Sequence, residues 1–236
     1  LGARLTLFHA IERAAPATVH GARHLMAAEE AGAYLAETAR TKLPPAARAE
    51  WHVHEPQTRD VALSIVDHVA ELAPDLIVMS THGRGGLRDF LFGSLAQQVV
   101  ARGATPVLLI RPSPSGQLPP LPFRKFLVPD DGTEAHEPGL ALCVSLAGAC
   151  GAEIHLVLVV ETLDTLSGPE AATGAILPSA SRLVLEMSEA QAVKHLGEHV
   201  EDLRQHGVKV TAEVRRGDPL KVLTAAATES GADLLV

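Results

Sequence analysis

The residues best suited to chemistry lie in one stretch, Met79-Ser80-Thr81-His82-Gly83-Arg84-Gly85-Gly86-Leu87-Arg88-Asp89-Phe90-Leu91-Phe92-Gly93-Ser94-Leu95. It follows an aliphatic run and leads into a helical one. Gly83 and Gly93 let the backbone come close to a bound group and adopt positive φ. Ser94 is placed to cap the helix that follows. Unpaired N–H groups and the positive end of a helix dipole attract a phosphate at such a terminus. The chemistry on offer is therefore phosphate binding, and the plain alternative is a turn leading into a capped helix. Two familiar phosphate motifs are missing. There is no GxxxxGK[ST], and Gly83-Arg84-Gly85-Gly86-Leu87-Arg88 carries arginine where GxGxxG needs its third glycine.

Other polar residues carry a sharp and a bland reading. His82 can touch a phosphate or a metal, or simply sit beside a glycine turn. Arg84 and Arg88 can neutralise phosphate charge, and Arg215 and Arg216 form a second small basic group able to hold one phosphorylated ligand. Asp89 can help hold Mg²⁺ or interact with Arg88 and the helix terminus. Asp131, in Asp-Gly-Thr after an apolar strand, is a carboxylate candidate and also a turn signal. Asp218 before Pro219 reads as a helix cap. His52 and His54 alternate on a strand and face one side, but their spacing supplies no further zinc ligand, so they read as surface or core histidines and no metal site is expected. Cys143 and Cys150 are seven apart on one helix face and read as small core residues, with neither CxxC nor a His/Cys cluster beside them. No nucleophile–base pair or paired carboxylates stand out, so no catalytic residue is assigned.

The elements that position these residues alternate between strand and helix. The first half reads as strand Arg4–Ile11, a long helix over about Gly21–Lys42, strand Ala49–His54, helix Val61–Leu72, strand Leu76–Ser80, the loop, helix Ser94–Arg102 and strand Val107–Ile110. Short loops between alternating elements argue for a parallel sheet covered on both faces. Pro44-Pro45 closes the long helix. The proline-rich stretch 113–122 is a stiff linker between a first domain, 1–112, and a second, 123–236.

The two halves repeat one pattern. Gly2-Ala3-Arg4-Leu5-Thr6-Leu7-Phe8-His9-Ala10-Ile11-Glu12 aligns with Gly151-Ala152-Glu153-Ile154-His155-Leu156-Val157-Leu158-Val159-Val160-Glu161, and Ala73-Pro74-Asp75-Leu76-Ile77-Val78 aligns with Gly231-Ala232-Asp233-Leu234-Leu235-Val236. The spacing between copies grows along the chain, which marks an insertion in the second copy of a duplicated domain. Strand Phe126–Pro129 and helix Glu137–Cys150 have no counterpart in the first copy, and Ser80–Ile110 has none in the second. The expectation is that each copy is incomplete: the first lacks an initial strand and helix, the second a final loop, helix and strand.

Composition bounds the function. Of 236 residues 47% are apolar and only 3% aromatic, which suits helices packed on an aliphatic parallel sheet. A net charge of −8 argues against a general nucleic-acid binder, because no wide basic field can displace counterions. No run approaches the roughly 20 apolar residues of a membrane helix, no signal peptide opens the chain, and two cysteines suit a reducing compartment. The expectation is a cytoplasmic protein acting on neither membrane nor nucleic acid.

The chain resembles the tandem universal stress proteins. The ATP-binding members of that family carry G-x-x-G, nine residues, then G-[S/T] after the fourth strand. Here nine residues separate Gly83 from Gly93, and Ser94 follows. Asp75–Arg84, Thr105–Arg111 and Val128-Pro129-Asp130-Asp131-Gly132-Thr133 resemble the family as well. The resemblance covers nearly the whole chain. It implies an α/β fold of two doubly wound parallel-sheet domains in tandem, Rossmann-like and of the adenine nucleotide alpha hydrolase type. It implies a stress-response regulatory protein that binds ATP, with Mg²⁺ in attendance, and signals through a partner. Gly83, Gly93, Ser94 and Leu95 would hold the phosphates, beside Met79, Ser80 and Arg84. Ala10, and Val159 in the second copy, would meet adenine through their backbones, and Asp131 would lie beside the nucleoside. The family's first glycine is Ser80 here, whose side chain either crowds the phosphates or donates a hydroxyl to one. The resemblance further implies a homo-oligomer, or an intramolecular pseudo-dimer of the two domains. The competing functions are a nucleotide-free interaction module and a slow ATP-hydrolysing or adenylate-transferring enzyme.

Overall fold

The computed structural model describes residues 2–11, 18–19, 22–23, 25–55, 60–80, 94–111, 113, 121–133 and 137–236. The chain divides into two compact units, Leu1–Pro119 and Pro120–Val236. Both are built of parallel strands with helical crossovers, as the alternation of elements predicts.

In unit 1, β1 (Arg4–Ala10) is followed by a short antiparallel pair, β2 (Thr18–Val19) and β3 (Ala22–Arg23), then α1 (Ala28–Lys42) and β4 (Arg48–His54). The long helix therefore starts later than the sequence suggests. Residues 22–23 pair with 18–19 instead, and the acidic pair Glu29 and Glu30 marks the true first turn, where carboxylates meet the positive end of the dipole. Next come α2 (Val61–Leu72), β5 (Ile77–Ser80), α3 (Ser94–Arg102) and β6 (Val107–Ile110). β1 pairs with β4 from Arg4↔Arg48 to Ala10↔His54, and β5 with β6 from Ile77↔Val107 to Ser80↔Ile110, all parallel.

Unit 2 runs β7 (Lys125–Asp130), α4 (Glu137–Cys150), β8 (Glu153–Val160), α5 (Gly168–Ile176), α6 (Pro178–Gln205), β9 (Lys209–Arg216), α7 (Pro219–Ser230) and β10 (Leu234–Leu235). Its strands form one sheet in the order β10-β7-β8-β9, every neighbour parallel. The first strand of the unit thus lies inside the sheet. The repeat aligns β8 with β1 and β10 with β5, so β7's position is the one between β1 and β5. In unit 1 no described strand fills it, and the two pairs are separate two-stranded sheets. Burial follows: Phe126, Leu127, Ile154 and Val157 are fully buried, whereas Val78 on β5 is 60% exposed.

The repeat extends to helix ends. Asp60 caps α2 by accepting from the Leu63 N–H, and Asp218 caps α7 by accepting from the Lys221 N–H, each at 3.0 Å. Both helices stop on a left-handed residue, Ala73 in one and Gly231 in the other, and the left-handed turn lets the cap N–H reach back to the last turn's carbonyls. One apolar cluster of unit 2 joins Leu127, Val157 and Ala226, with Leu223, Ala227, Ala232 and Val159 packed against it, and so fastens α7 to the sheet.

Candidate functional site

Parallel strands deliver all their C-terminal ends to one edge of a sheet, and ligands of open α/β sheets collect there. In unit 1, Ala10 ends β1 opposite His54, and Ser80 ends β5 opposite Ile110. Residues 81–93 connect the C-terminal end of β5 to the N-terminus of α3, which opens at Ser94. Met79 is half-buried, Ser80 exposed and Leu95 exposed. Gly83, Arg84 and Gly93, with His82, Arg88 and Asp89, lie outside the described residues. Strand β5 and helix α3 flank this segment as the sequence predicts, and the N-terminus of α3 carries the positive end of its dipole.

In unit 2, Asp131 directly follows β7. Asp130 pairs with Leu158, so Asp131 and Val159 come next on adjacent strands at the same edge. The Asp131 carboxylate accepts from the Thr133 N–H at 2.8 Å and the Thr133 hydroxyl at 2.6 Å. Gly132, with φ of 76°, donates its N–H to Asp130 at 2.7 Å. Glycine adopts this left-handed φ without Cβ strain, and the turn leaves the Asp131 carboxylate exposed at the strand end. The turn reading of Asp131-Gly132-Thr133 is thus realised in these hydrogen bonds.

Arg215 and Arg216 do not form the basic group that their sequence suggests. Arg215 binds Glu213 at 2.7 Å and Glu229 at 2.8 Å, and Arg216 binds Glu189 at 3.2 Å. Burial pushes the Glu213 carboxyl up, but hydrogen bonds from Arg215 and His155 outweigh it and leave the group below its ordinary value. The hydrogen bonds to Glu213 and Glu229 raise Arg215 further. Both cations are already engaged by carboxylates of their own unit. Cys143 is buried and desolvation pushes its thiol up to about 11, while Cys150 on the same helix is only half-buried.

Two clusters escaped the sequence reading. The first completes the His52/His54 pair: α2 contributes His68, and the three side chains place nitrogen atoms within 4.8 Å of one another. One of the facing Nε2 atoms of His52 and His68 donates to the other at 2.7 Å, and Phe8 stacks on His52 with ring centres 6.0 Å apart. The missing third ligand was not visible in strand spacing because it comes from the next helix, 14 residues after His54. The second cluster is Asp130, His195 and His199 in unit 2.

His68 is held below the ordinary imidazole value, first by burial and then by the neighbouring His54 and His52, against smaller opposing effects of Glu71 and Asp67. The folded state thus binds a proton at His68 more weakly than the unfolded chain. The stabilising difference is fully present above the unfolded value of 6.5. It is lost as pH falls from there through the depressed folded value, because protons then drive unfolding. A thermal melt series from pH 8 downward should show the midpoint falling across this window, with a shallower fall in His68→Gln. Equal slopes for the two proteins would remove His68 as the cause.

The sequence profile of the universal stress protein family matches residues 1–111 and again 122–236. Among solved structures, a functionally unknown protein from Pseudomonas aeruginosa PAO1 superimposes with a TM-score of 0.61 at 12% identity, over 99% of this chain and 70% of that one. A putative universal stress protein from P. aeruginosa UCBPP-PA14 gives 0.61 and 12% over 99% and 71%. A universal stress protein from Archaeoglobus fulgidus gives 0.56 and 20% over 88% and 65%. No curated protein matches the chain. No described helix is long and apolar enough to cross a membrane.

Proposed function

Because the chain belongs to the universal stress protein family, two copies of whose domain it carries in tandem, we propose that it binds an adenine nucleotide, ATP with Mg²⁺ in the first instance, as a stress-response regulatory protein. The observation that carries this reading is the Gly83–nine residues–Gly93-Ser94 spacing in a segment that leaves the C-terminal end of β5 and enters α3. Two general requirements of phosphate binding support the reading: glycines, which let backbone approach an anion closely, and a following helix N-terminus, which α3 supplies at Ser94. On this reading Gly83, Gly93, Ser94 and Leu95 hold the phosphates, beside Met79, Ser80 and Arg84. The backbone of Ala10 meets adenine. In unit 2 Val159 and Asp131 take the adenine and nucleoside positions.

Isothermal calorimetry with ATP and Mg²⁺ tests it. The wild type should give saturable heat that Gly93→Val abolishes, since the valine side chain occupies the space through which a phosphate approaches the backbone. No heat and no rise in melting temperature at millimolar ATP would sink the reading. That outcome would favour the nucleotide-free interaction module, which Ser80 in place of the family's first glycine also supports.

A further inference from the structure

We propose that Asp130, His195 and His199 form a binding site in unit 2 for a divalent transition-metal ion of the zinc type. The proposal stands independently of nucleotide binding.

Asp130 is out of keeping with its surroundings. Successive residues of a strand point to opposite faces, so Phe126, Val128 and Asp130 share one face of β7. The first two are buried apolar residues, and Asp130 itself is 7% exposed. A carboxylate at such a position costs several kcal/mol unless something compensates it. The compensation comes from α6, where His195 and His199 stand one turn apart on one helix face. They lie among the buried residues of that helix, Ala192, Leu196 and Leu203. His195 Nε2 is 3.3 Å from Asp130 Oδ1, and His199 Nδ1 is 3.0 Å from Asp130 Oδ2.

The spacing suits an ion. Ligand atoms about 2.1 Å from a zinc ion at tetrahedral angles are about 3.4 Å apart, and the three donors here all lie within 4.8 Å of one another. The carboxylate presents a different oxygen to each imidazole, and the two rings are 4.1 Å apart at an angle of 50°. The Gly132 N–H donates to Asp130 Oδ1 at 2.7 Å and so fixes the carboxylate's orientation, the kind of support that metal-binding carboxylates receive. Two imidazoles and one carboxylate are the borderline donor set of zinc and its neighbours. Magnesium and calcium instead take all-oxygen sets. His195 and His199 side chains are 28% and 29% exposed, which leaves a path for the ion and room for water as a fourth ligand. The His52/His54/His68 trio lacks a carboxylate, and there the Nε2 atoms of His52 and His68 are hydrogen-bonded to each other at 2.7 Å.

The test uses the whole chain after chelator treatment. Zn²⁺ is titrated against a fluorescent chelator, Co²⁺ is followed by its visible absorption, and Mg²⁺ serves as the control. The wild type should take up a tight equivalent of Zn²⁺ and none of Mg²⁺, give Co²⁺ bands of tetrahedral intensity, and melt higher with Zn²⁺ present. Asp130→Asn, His195→Gln and His199→Gln should each weaken that equivalent by more than about 100-fold, the upper end of what losing a mere supporting group costs. Circular dichroism identifies which variants are folded. The two histidine variants alter partly exposed side chains, so the proposal remains testable if Asp130→Asn unfolds. Absence of tight Zn²⁺ uptake, or unchanged affinity in the folded histidine variants, overturns the proposal. So does loss of the tight equivalent in His52→Gln or His68→Gln instead.

Discussion

Phe126→Ala should lower the unfolding free energy of unit 2 by about 4 kcal/mol, within the range for truncating a buried phenylalanine. Phe126 is fully buried on β7, the strand held between β10 and β8. Its ring meets Phe123 edge-on, with centres 6.1 Å apart and planes at 74°. Truncation removes the transfer energy of the ring, leaves a cavity between sheet and helices that close-packed neighbours fill only in part, and ends the aromatic contact. Urea titration followed by circular dichroism reads the effect as a lower midpoint of the unit 2 transition. Phe126→Leu, which keeps most of the volume, should cost far less. A loss below about 1 kcal/mol for the alanine variant would contradict the burial on which the prediction rests.

The second large effect is expected at Gly217, which with Asp218 joins β9 to α7. Its φ is 135°, a conformation that L side chains rarely adopt, and a Cβ built there lies 3.1 Å from Val222 Cγ2. Its N–H donates to the Val160 carbonyl at 3.0 Å, which ties the junction to β8. A valine therefore meets backbone strain of about 1–3 kcal/mol and a steric clash of similar size. Gly217→Val should lose about 3 kcal/mol in the same titration. Gly207 has φ of 76° but nothing within 4 Å of its Cβ position, so Gly207→Ala should cost less. The reverse order of the two variants would show that the junction relaxes where the structure holds it tight.

Much of the secondary structure was legible from local pattern. Helices Val61–Leu72, Glu137–Cys150 and Pro219–Ser230 and strand Val107–Ile110 occur with the bounds their residues predict, because caps and prolines act within a turn or two. The capping role of Asp218 was readable for the same reason. The false start of the long helix at Gly21 reflects a different competition. There the pairing of residues 18–19 with 22–23 prevails over helical propensity. No element was read between Glu161 and Gly217, the stretch that holds α5, α6 and β9. In α6 the buried residues Leu185, Ala192, Leu196 and Leu203 are spread along 28 positions, which leaves little local pattern to mark the helix.

By itself the sequence determined the duplicated α/β pattern, the family, and the loop whose glycine spacing nominates phosphate binding. Each of those is read from short contiguous segments or from their repetition along the chain. The tertiary structure decided which distant side chains meet. Arg215 and Arg216 became partners of Glu213, Glu229 and Glu189 rather than an open basic group. His68 joined His52 and His54. Asp130, read only as a neighbour of Asp131, faced two histidines more than sixty residues away. Strand register and helix packing set those meetings, and no local periodicity encodes the distance between a strand end and a helix face that a crossover later brings beside it.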